Sequence, residues 1–569
     1  MALKIIIVGG VAGGMSAAAR LRRISEDATI VVFEKGEYVS YANCGLPYYA
    51  GEIIKNKQDL MVQTPESLHR RFNIDVRVLH EVVRVDALKK IVEVKNIVAG
   101  KVYAEAYDKL ILSCGAEPFR PELPGINSEK IFTMRTIPDT DKIKEFISRE
   151  HPGHVLIVGA GYIGLEMAEN FRNQGLFVTI VEMAGQVISA VDFEVAAMVH
   201  KYLKDKKIEL YLNEAVEVFE DTGKQIKARL KSGREIKADM VLLSIGVKPD
   251  VSLAKSAGLK LGDKGGIAVN EYLQTADPSI YAVGDAIEVV HGATGAKAVI
   301  PLAGPANKQG RIAADNCIFG NKEKYERTFG TAIAKIFDMT VGVTGATERL
   351  LMKEKIPHES VIIHPVSHAS YYPDPKSMTL KVLFSPSDGR ILGAQCLGYE
   401  GVDKRIDVIA AAMFFHGTVY DLTAIEHSYA PPYSSAKDPV NMAGFSAENI
   451  LSGKIKPVHW NEIPLLDPEK TVLVDVRTPE EYAAGTIPGA ILIPVDALRE
   501  NISQLPKNKE IVVFCRVGLR GYIAGRILLQ NGFRSVRNLS GGYLTYAAAT
   551  QKQDNRGIFD ESYDTGMHE

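Results

Sequence analysis

The sequence predicts an α/β fold with two Rossmann-like dinucleotide-binding domains, then an α+β domain, then a small C-terminal α/β domain. Three observations predict it. A strand, a glycine-rich turn, a helix and a strand ending in an acid occur twice, around GGVAGG (9–14) and GAGYIG (159–164). From about residue 326 the pattern changes to short strands with turns plus one long helix. From about residue 458 a new strand–helix–strand series begins.

The first strand, KIIIV from Lys4, is a continuous β-branched run of the kind buried on both faces of a parallel sheet. Its turn carries Gly9, Gly10, Ala12, Gly13 and Gly14, with Val11 at the middle fingerprint position, where glycine is usual. The strand TIVVFEK then places Glu34 and Lys35 about 20 residues beyond the last glycine. Glycines let the backbone approach a pyrophosphate, the helix N-terminus supplies amides, and the acid accepts from a ribose hydroxyl. The second copy has Gly159, Gly161 and Gly164 at full spacing, Tyr162 and Ile163 between them, and Glu182 closing the next strand. No cation follows among Met183, Ala184, Gly185 and Gln186 to meet a 2′-phosphate, so NADH is favoured over NADPH. Further strand-to-turn segments carry Cys114 and Gly115, Gly246, and Gly284 with Asp285, the last expected ahead of a helix.

The balance of 67 Lys+Arg against 69 Asp+Glu argues against nucleic acid as the main partner. No run of about 18 apolar residues occurs, so no membrane span is expected, and MALKIIIVGG enters a strand pattern at once, leaving no room for a signal peptide. The five cysteines (44, 114, 317, 396 and 515) lack CxxC spacing. They suit a reducing cytoplasm and offer neither a disulfide framework nor a metal site.

In family order the chain carries GGVAGG, CGAEP, GAGYIG, SIGVKPD, YAVGDA and PLAGPANKQGR (Pro301 to Arg311). Residues 1 to about 446 thereby resemble the two-dinucleotide flavoprotein disulfide reductases. SYANCGLPYY (40–49) resembles their single-cysteine branch, the coenzyme A-disulfide reductases, and CRVGLRG (515–521) resembles a rhodanese active-site loop. The whole chain is similar to the coenzyme A-disulfide reductase–rhodanese fusions, which include NADH-dependent persulfide reductases. The resemblance implies an FAD-binding domain over 1–115 and 250–325, an NADH-binding domain over 150–245 and a dimerisation domain over 326–446. It also implies a linker over 447–457, a rhodanese domain over 458–552 and a mobile tail over 553–569. Pro301, Leu302 and Ala303 join the cofactor-binding turns by the same resemblance.

Cys44 has no partner cysteine, so it must hold its oxidising equivalent with an outside sulfur, as a mixed disulfide, persulfide or sulfenic acid. A helix start in GLPYYAGEII is expected to lower its pKa. The resemblance implies coenzyme A contacts from Ser16, Arg20, Arg23, Ser40, Asn43, Asn307 and Lys437, and a basic pair at Arg70 and Arg71 suits its phosphates. It implies a homodimer in which Tyr371 and Tyr429 cross to the partner's site, with Tyr372, Tyr433 and His427 as rivals. Cys515 is expected to carry sulfane sulfur among loop amides, with Arg516 and Arg520 adding charge around Val517, Gly518 and Leu519. Asp475 and Arg477 read as scaffold. Ala12 stands where oxidase and peroxidase relatives carry histidine, and Thr486 where many rhodaneses carry histidine. The activity expected is NADH-dependent reduction of coenzyme A persulfide or polysulfide. The alternatives are coenzyme A disulfide reduction proper, an oxidase, and a sulfurtransferase or redox sensor with a non-reductase flavoprotein part.

Overall fold

A computed structural model describes residues 3–551; the expected tail at 553–569 lies outside the described residues. The chain forms two compact units, 1–185 with 211–330, and 186–210 with 331 onward.

The first unit holds both glycine turns. Strand β1 (Lys4–Val8), helix α1 (Ala12–Ile24) and strand β2 (Thr29–Glu34) form the first βαβ element. Its five-stranded sheet runs Ile280–Ala282, Lys109–Leu112, β1, β2, Asp75–Val78, all parallel. Ile5, Ile6 and Ile7 are fully buried, which is why the strand tolerates no polar alternation. A short helix α2 (Leu46–Ala50) follows the Cys44 turn. The second βαβ element is β3 (His154–Val158), α3 (Tyr162–Asn173) and β4 (Phe177–Glu182), with β3 also parallel to Met240–Leu243. Asp285 is not followed by a helix: Gly284–Ala286 is a single 3₁₀ turn and Ile287 is extended. The β-branched run after it favours strand over helix.

Helix α4 (Phe193–Asp205) lies in sequence between β4 and the rest of the nucleotide domain, yet it belongs to the second unit. That unit contains an antiparallel sheet in which β5 (Glu359–Ile363) pairs with β6 (Met378–Phe384), and β6 with Ile391–Gly398. Every residue of the latter two strands is buried.

The C-terminal sheet is parallel, with Glu510–Phe514 central between Thr471–Asp475 and Val536–Leu539. Helices α5 (Leu519–Gln530) and α6 (Gly542–Thr550) flank it. The span expected as a 447–457 connector is built differently. A helix, Pro439–Leu451, runs into it, and Lys456–Val458 pairs in parallel with Val536–Leu539 at the sheet edge. The helix formers in AENIL outweigh the polarity that suggested a loop. Among the described residues, no helix is long and apolar enough to cross a membrane.

Candidate active sites

The glycine turns have the shapes their residues predict. Gly9 and Gly159 have φ of +101° and +103°, and a Cβ there would lie 2.1 Å from Ser113 O and 2.3 Å from Ser244 O. Gly14 and Gly164 bring each helix against its strand, since a Cβ would lie 1.9 Å and 2.2 Å from the carbonyls of Gly9 and Gly159. Gly161 faces open space, as a backbone approached by a ligand should. Val11 needs no glycine, because its φ is −115°. Glu34 accepts from Gly10 N (2.8 Å) and Gly36 N (2.7 Å), and Glu182 from Ala160 N and Ala184 N (2.8 Å each). Each carboxylate is therefore held at its turn with lone pairs left for a ribose, so both cradles fit a dinucleotide.

Around the first cradle, Gly115 (φ +73°) would place a Cβ 2.9 Å from Arg135 Nη2, which lies 3.5 Å from Asp285 Oδ2. Gly246 has φ +97° and open space, while Gly284, which donates to Gln309 at 2.7 Å, has φ +78°. Lys35 pairs with Glu117 at 2.6 Å, both exposed. Pro301 to Ala303 lead into the helix Ala303–Phe319, of which Leu302 is the N-cap. Burial pushes the thiols of Cys114, Cys317 and Cys396 up to about 12, consistent with structural cysteines.

Cys44 sits in a one-turn 3₁₀ helix, Asn43–Gly45, that runs into α2. Its side chain is exposed. Its thiol is nonetheless pushed up, first by desolvation from the surrounding wall, then by the carboxylates of Glu166 and Asp285, with Arg135 opposing. The expected lowering by a helix N-terminus is thus not what the protein supplies. A five-residue helix has little dipole, and two acids outweigh it. Two neighbours were not foreseen. Burial pushes the Glu166 carboxyl up to about 7, a hydrogen bond from Tyr48 pulls the other way, and Glu169 adds to the rise. The phenol of Tyr48 is pushed up to about 12, chiefly by burial and then by Glu166. Glu166 lies inside GAGYIGLEM, five residues beyond Gly161, and its helical spacing from the glycine turn was the available signal.

The residues expected against coenzyme A divide. Asn43 Oδ1 is buried without a hydrogen-bond partner among the described residues. Ser40, with φ +48°, donates its N–H to Gly10 O at 2.7 Å and so ties the cysteine turn to the first glycine turn. Ser16 Oγ donates to Asn307 Oδ1 at 2.7 Å, so two expected contacts meet. Arg20 is clamped by Asp315 in a two-point ion pair (2.7 and 3.1 Å), a partner the sequence pattern did not disclose. Arg22 donates to the carbonyls of Phe72, Ser25, Glu26, Ala28 and Asn73 and is structural, whereas Arg23 and Arg71 are exposed.

Tyr371, Tyr429, Lys437 and Cys515 belong to the second unit. The hydroxyls of Tyr371 and Tyr429 are 2.6 Å apart on exposed side chains, and the Tyr371 phenol is pushed up by that hydrogen bond. Lys437 is exposed. His427, the rival, is turned inward: its Nδ1 lies 3.9 Å from Asp438 Oδ1, and its Nε2 is buried without a partner among the described residues. Tyr433 is exposed, and Tyr372 packs its edge against His368.

The Cys515 loop, Arg516 to Arg520, opens into α5 at Gly518 (φ +108°). Gly518 N donates to Cys515 Sγ at 3.1 Å. Arg520 is held by both oxygens of Glu481 at 2.7 Å. Arg516 and Leu519 are exposed, and Val517 is half-buried. Arg477 forks onto Asp475, which also accepts from Thr486 at 2.8 Å, so Thr486 joins the Asp475–Arg477 pair.

This geometry defines an oxidoreductase with two dinucleotide cradles, a thiol turn beside the first and a second cysteine in a loop that turns a backbone N–H onto its sulfur. The pyridine nucleotide-disulphide oxidoreductase model matches residues 3–310, its dimerisation domain 331–439 and the rhodanese-like domain 464–549. The chain belongs to the pyridine nucleotide-disulphide oxidoreductase family, as a fusion with a C-terminal rhodanese-like domain. It is 36% identical over 445 residues to coenzyme A disulfide reductase of Staphylococcus aureus (strain bovine RF122 / ET3-1), covering 78% of this chain and 100% of that one. Reduced Bacillus anthracis CoADR-RHD matches with TM-score 0.95 at 49% identity, covering 96% of this chain and 98% of that. A NAD-dependent persulfide reductase from A. fulgidus matches with TM-score 0.89 at 35% identity, covering 96% and 100%. Family membership implies FAD and a nicotinamide dinucleotide.

Proposed function

We propose that the protein is an NADH-dependent reductase of coenzyme A persulfide or polysulfide, with sulfane sulfur handled at Cys515. The observation that carries this reading is the coexistence of an unpaired, exposed Cys44 beside the first dinucleotide cradle and a second cysteine inside an amide loop. Plain disulfide reduction gives the second cysteine no task. The names of the relatives, a coenzyme A disulfide reductase and a persulfide reductase, support the same substrate class.

Cys44, as thiolate, attacks one sulfur of the guest S–S bond. A bond from Cys44 to that sulfur forms, the guest bond breaks, and hydrosulfide or a thiolate leaves. When bound, FAD supplies the two electrons, taken from NADH, that split the new bond. In a homodimer the partner subunit's Tyr371–Tyr429 pair faces the departing sulfur anion: across the 2.6 Å contact one phenol donates to the other, and the second is left free to donate to the sulfur. Ser16, Ser40, Asn43, Arg23, Arg71, Asn307 and Lys437 are the proposed coenzyme A contacts, with Arg20 committed in part to Asp315. NADH is preferred because no cation follows Glu182. The five free cysteines suit a reducing cytoplasm.

The test is steady-state NADH oxidation with coenzyme A persulfide against coenzyme A disulfide, in wild type, Cys44→Ser and Cys515→Ser. Cys44→Ser should stop turnover with both. Higher kcat/KM with the disulfide would transfer the assignment to the disulfide reductase reading. Fast oxidation in air without added sulfur would favour the oxidase.

A further inference from the structure

The Cys515 loop rests on the first turn of α6, and that turn is held in place by another domain. Cys515 O accepts from Tyr543 N at 2.8 Å and Arg516 O from Leu544 N at 3.0 Å, both in the first turn of α6. Gly542, which opens that turn at φ +60°, would place a Cβ 2.4 Å from Cys515 O, so the contact has no slack. A trans peptide points its N–H opposite its C=O. Fixing these two carbonyls on α6 therefore turns the N–H groups of Arg516 and Val517 away from it, the arrangement an anion-holding loop needs.

The far side of the same turn is gripped by the antiparallel sheet that matches the dimerisation domain. Ser540 Oγ accepts from Ile362 N at 3.0 Å. His364, just beyond β5, reaches Thr379 Oγ1 of β6 with Nδ1 (2.9 Å) and Thr545 Oγ1 with Nε2 (2.8 Å). Thr545, fully buried, spends its own proton on Gly541 O at 3.2 Å. Its oxygen then accepts from His364 Nε2–H, which in a neutral imidazole leaves Nδ1 as an acceptor for Thr379, whose hydroxyl otherwise has, among the described residues, only the weak acceptor Met198 Sδ at 3.5 Å. The chain is directional and needs a neutral imidazole, and burial holds His364 down at about 4.

We propose that His364 is a positioning residue for the Cys515 loop, acting through Thr545 and the first turn of α6. This rests on reading Cys515 as a sulfur-transferring cysteine. The charged groups facing that sulfur are Arg520, itself held by Glu481, and Arg516 on the loop. Arg516 also helps to keep the His364 imidazole neutral through its charge, and the neutral ring then acts on the loop through its hydrogen bonds.

The experiment uses the full-length holoenzyme with thiosulfate as sulfur donor and cyanide as acceptor, comparing His364→Leu, Thr545→Val and Thr545→Ser. His364→Leu and Thr545→Val should lower kcat by about tenfold with KM for thiosulfate nearly unchanged. The rising limb of their rate–pH profiles should move to higher pH. Thr545→Ser, which keeps the hydroxyl, should match wild type. NADH turnover at Cys44 should persist in all three, showing that the fold survives. A His364→Leu protein with wild-type kcat and pH profile overturns the proposal, as does a Thr545→Ser protein that fails like Thr545→Val. Wild type inactive in transfer would sink the sulfurtransferase reading alone. Amide hydrogen exchange over the Arg516–Leu519 loop, read by peptide mass, would then still decide whether His364 sets the loop: faster exchange in His364→Leu supports it, and unchanged exchange overturns it.

Discussion

Cys44 shows how far a residue's chemistry depends on neighbours remote in sequence. Its turn was legible from SYANCGLPYY, but its pKa direction was not, because the acids that raise it come from positions 166 and 285. Glu166, itself titrating near 7, makes the dependence testable. Below that pH the carboxyl is protonated and exerts no charge, so wild type and Glu166→Gln should label at Cys44 with iodoacetamide at similar rates. Above it, the ionised carboxylate disfavours the Cys44 thiolate in wild type, and the variant should label faster. Superimposed curves across the whole pH range would remove Glu166 from the account of Cys44. Arg20 and Arg22 teach the same lesson: two arginines two positions apart in sequence divide between an ion pair with Asp315 and a set of five carbonyls.

At the scale of the element, the glycine turn of α3 separates fold from binding within four residues. Gly161 is extended backbone (φ −77°) with nothing near its Cβ position, whereas Gly164 meets the Gly159 carbonyl at 2.2 Å. Gly164→Ala should therefore push the helix off its strand and cost about 1–3 kcal/mol in denaturant unfolding. Gly161→Ala should leave the unfolding midpoint in place and raise KM for NADH by about tenfold, because its methyl occupies the space a pyrophosphate needs. A lowered midpoint with unchanged KM in Gly161→Ala would show that the turn serves packing alone. The helix Pro439–Leu451 makes the converse point: its polar residues suggested a connector, but it buries Pro439, Val440, Ala443 and Ala447 and leads straight to an edge strand.

Across the second unit, distant segments converge on Lys381. Its buried ammonium lies 2.9 Å from Asp192, 2.5 Å from Glu194 and 2.9 Å from Glu348, and Trp460 Nε1 donates to Glu194 at 3.3 Å. Asp192 caps α4 and Glu194 lies in it, Glu348 opens the helix Glu348–Lys353, Lys381 is in β6, and Trp460 stands at the entry to the C-terminal domain. The three carboxylates push the ammonium's pKa up despite burial. Lys381→Met would leave three acids facing one another without a cation, and should cost about 3–5 kcal/mol in denaturant unfolding. Those carboxyls would then titrate higher, so the deficit against wild type should narrow as pH falls toward about 5. A deficit that is small, or constant with pH, would mean that the network contributes little to holding the segments together.

The order of domains, both glycine turns and the two cysteines proposed to react were legible in the sequence itself, because each rests on local rules. Glycine spacing sets a turn, β-branched runs set a buried strand, and an acid at a strand end sets a ribose contact. The tertiary structure alone decided the partners of those residues: Glu166 beside Cys44, Asp315 on Arg20, α4 in the second unit, and His364 behind the Cys515 loop. Electrostatic and hydrogen-bond terms act across a few ångströms of space, and residues brought within that range by packing leave no periodic mark along the chain.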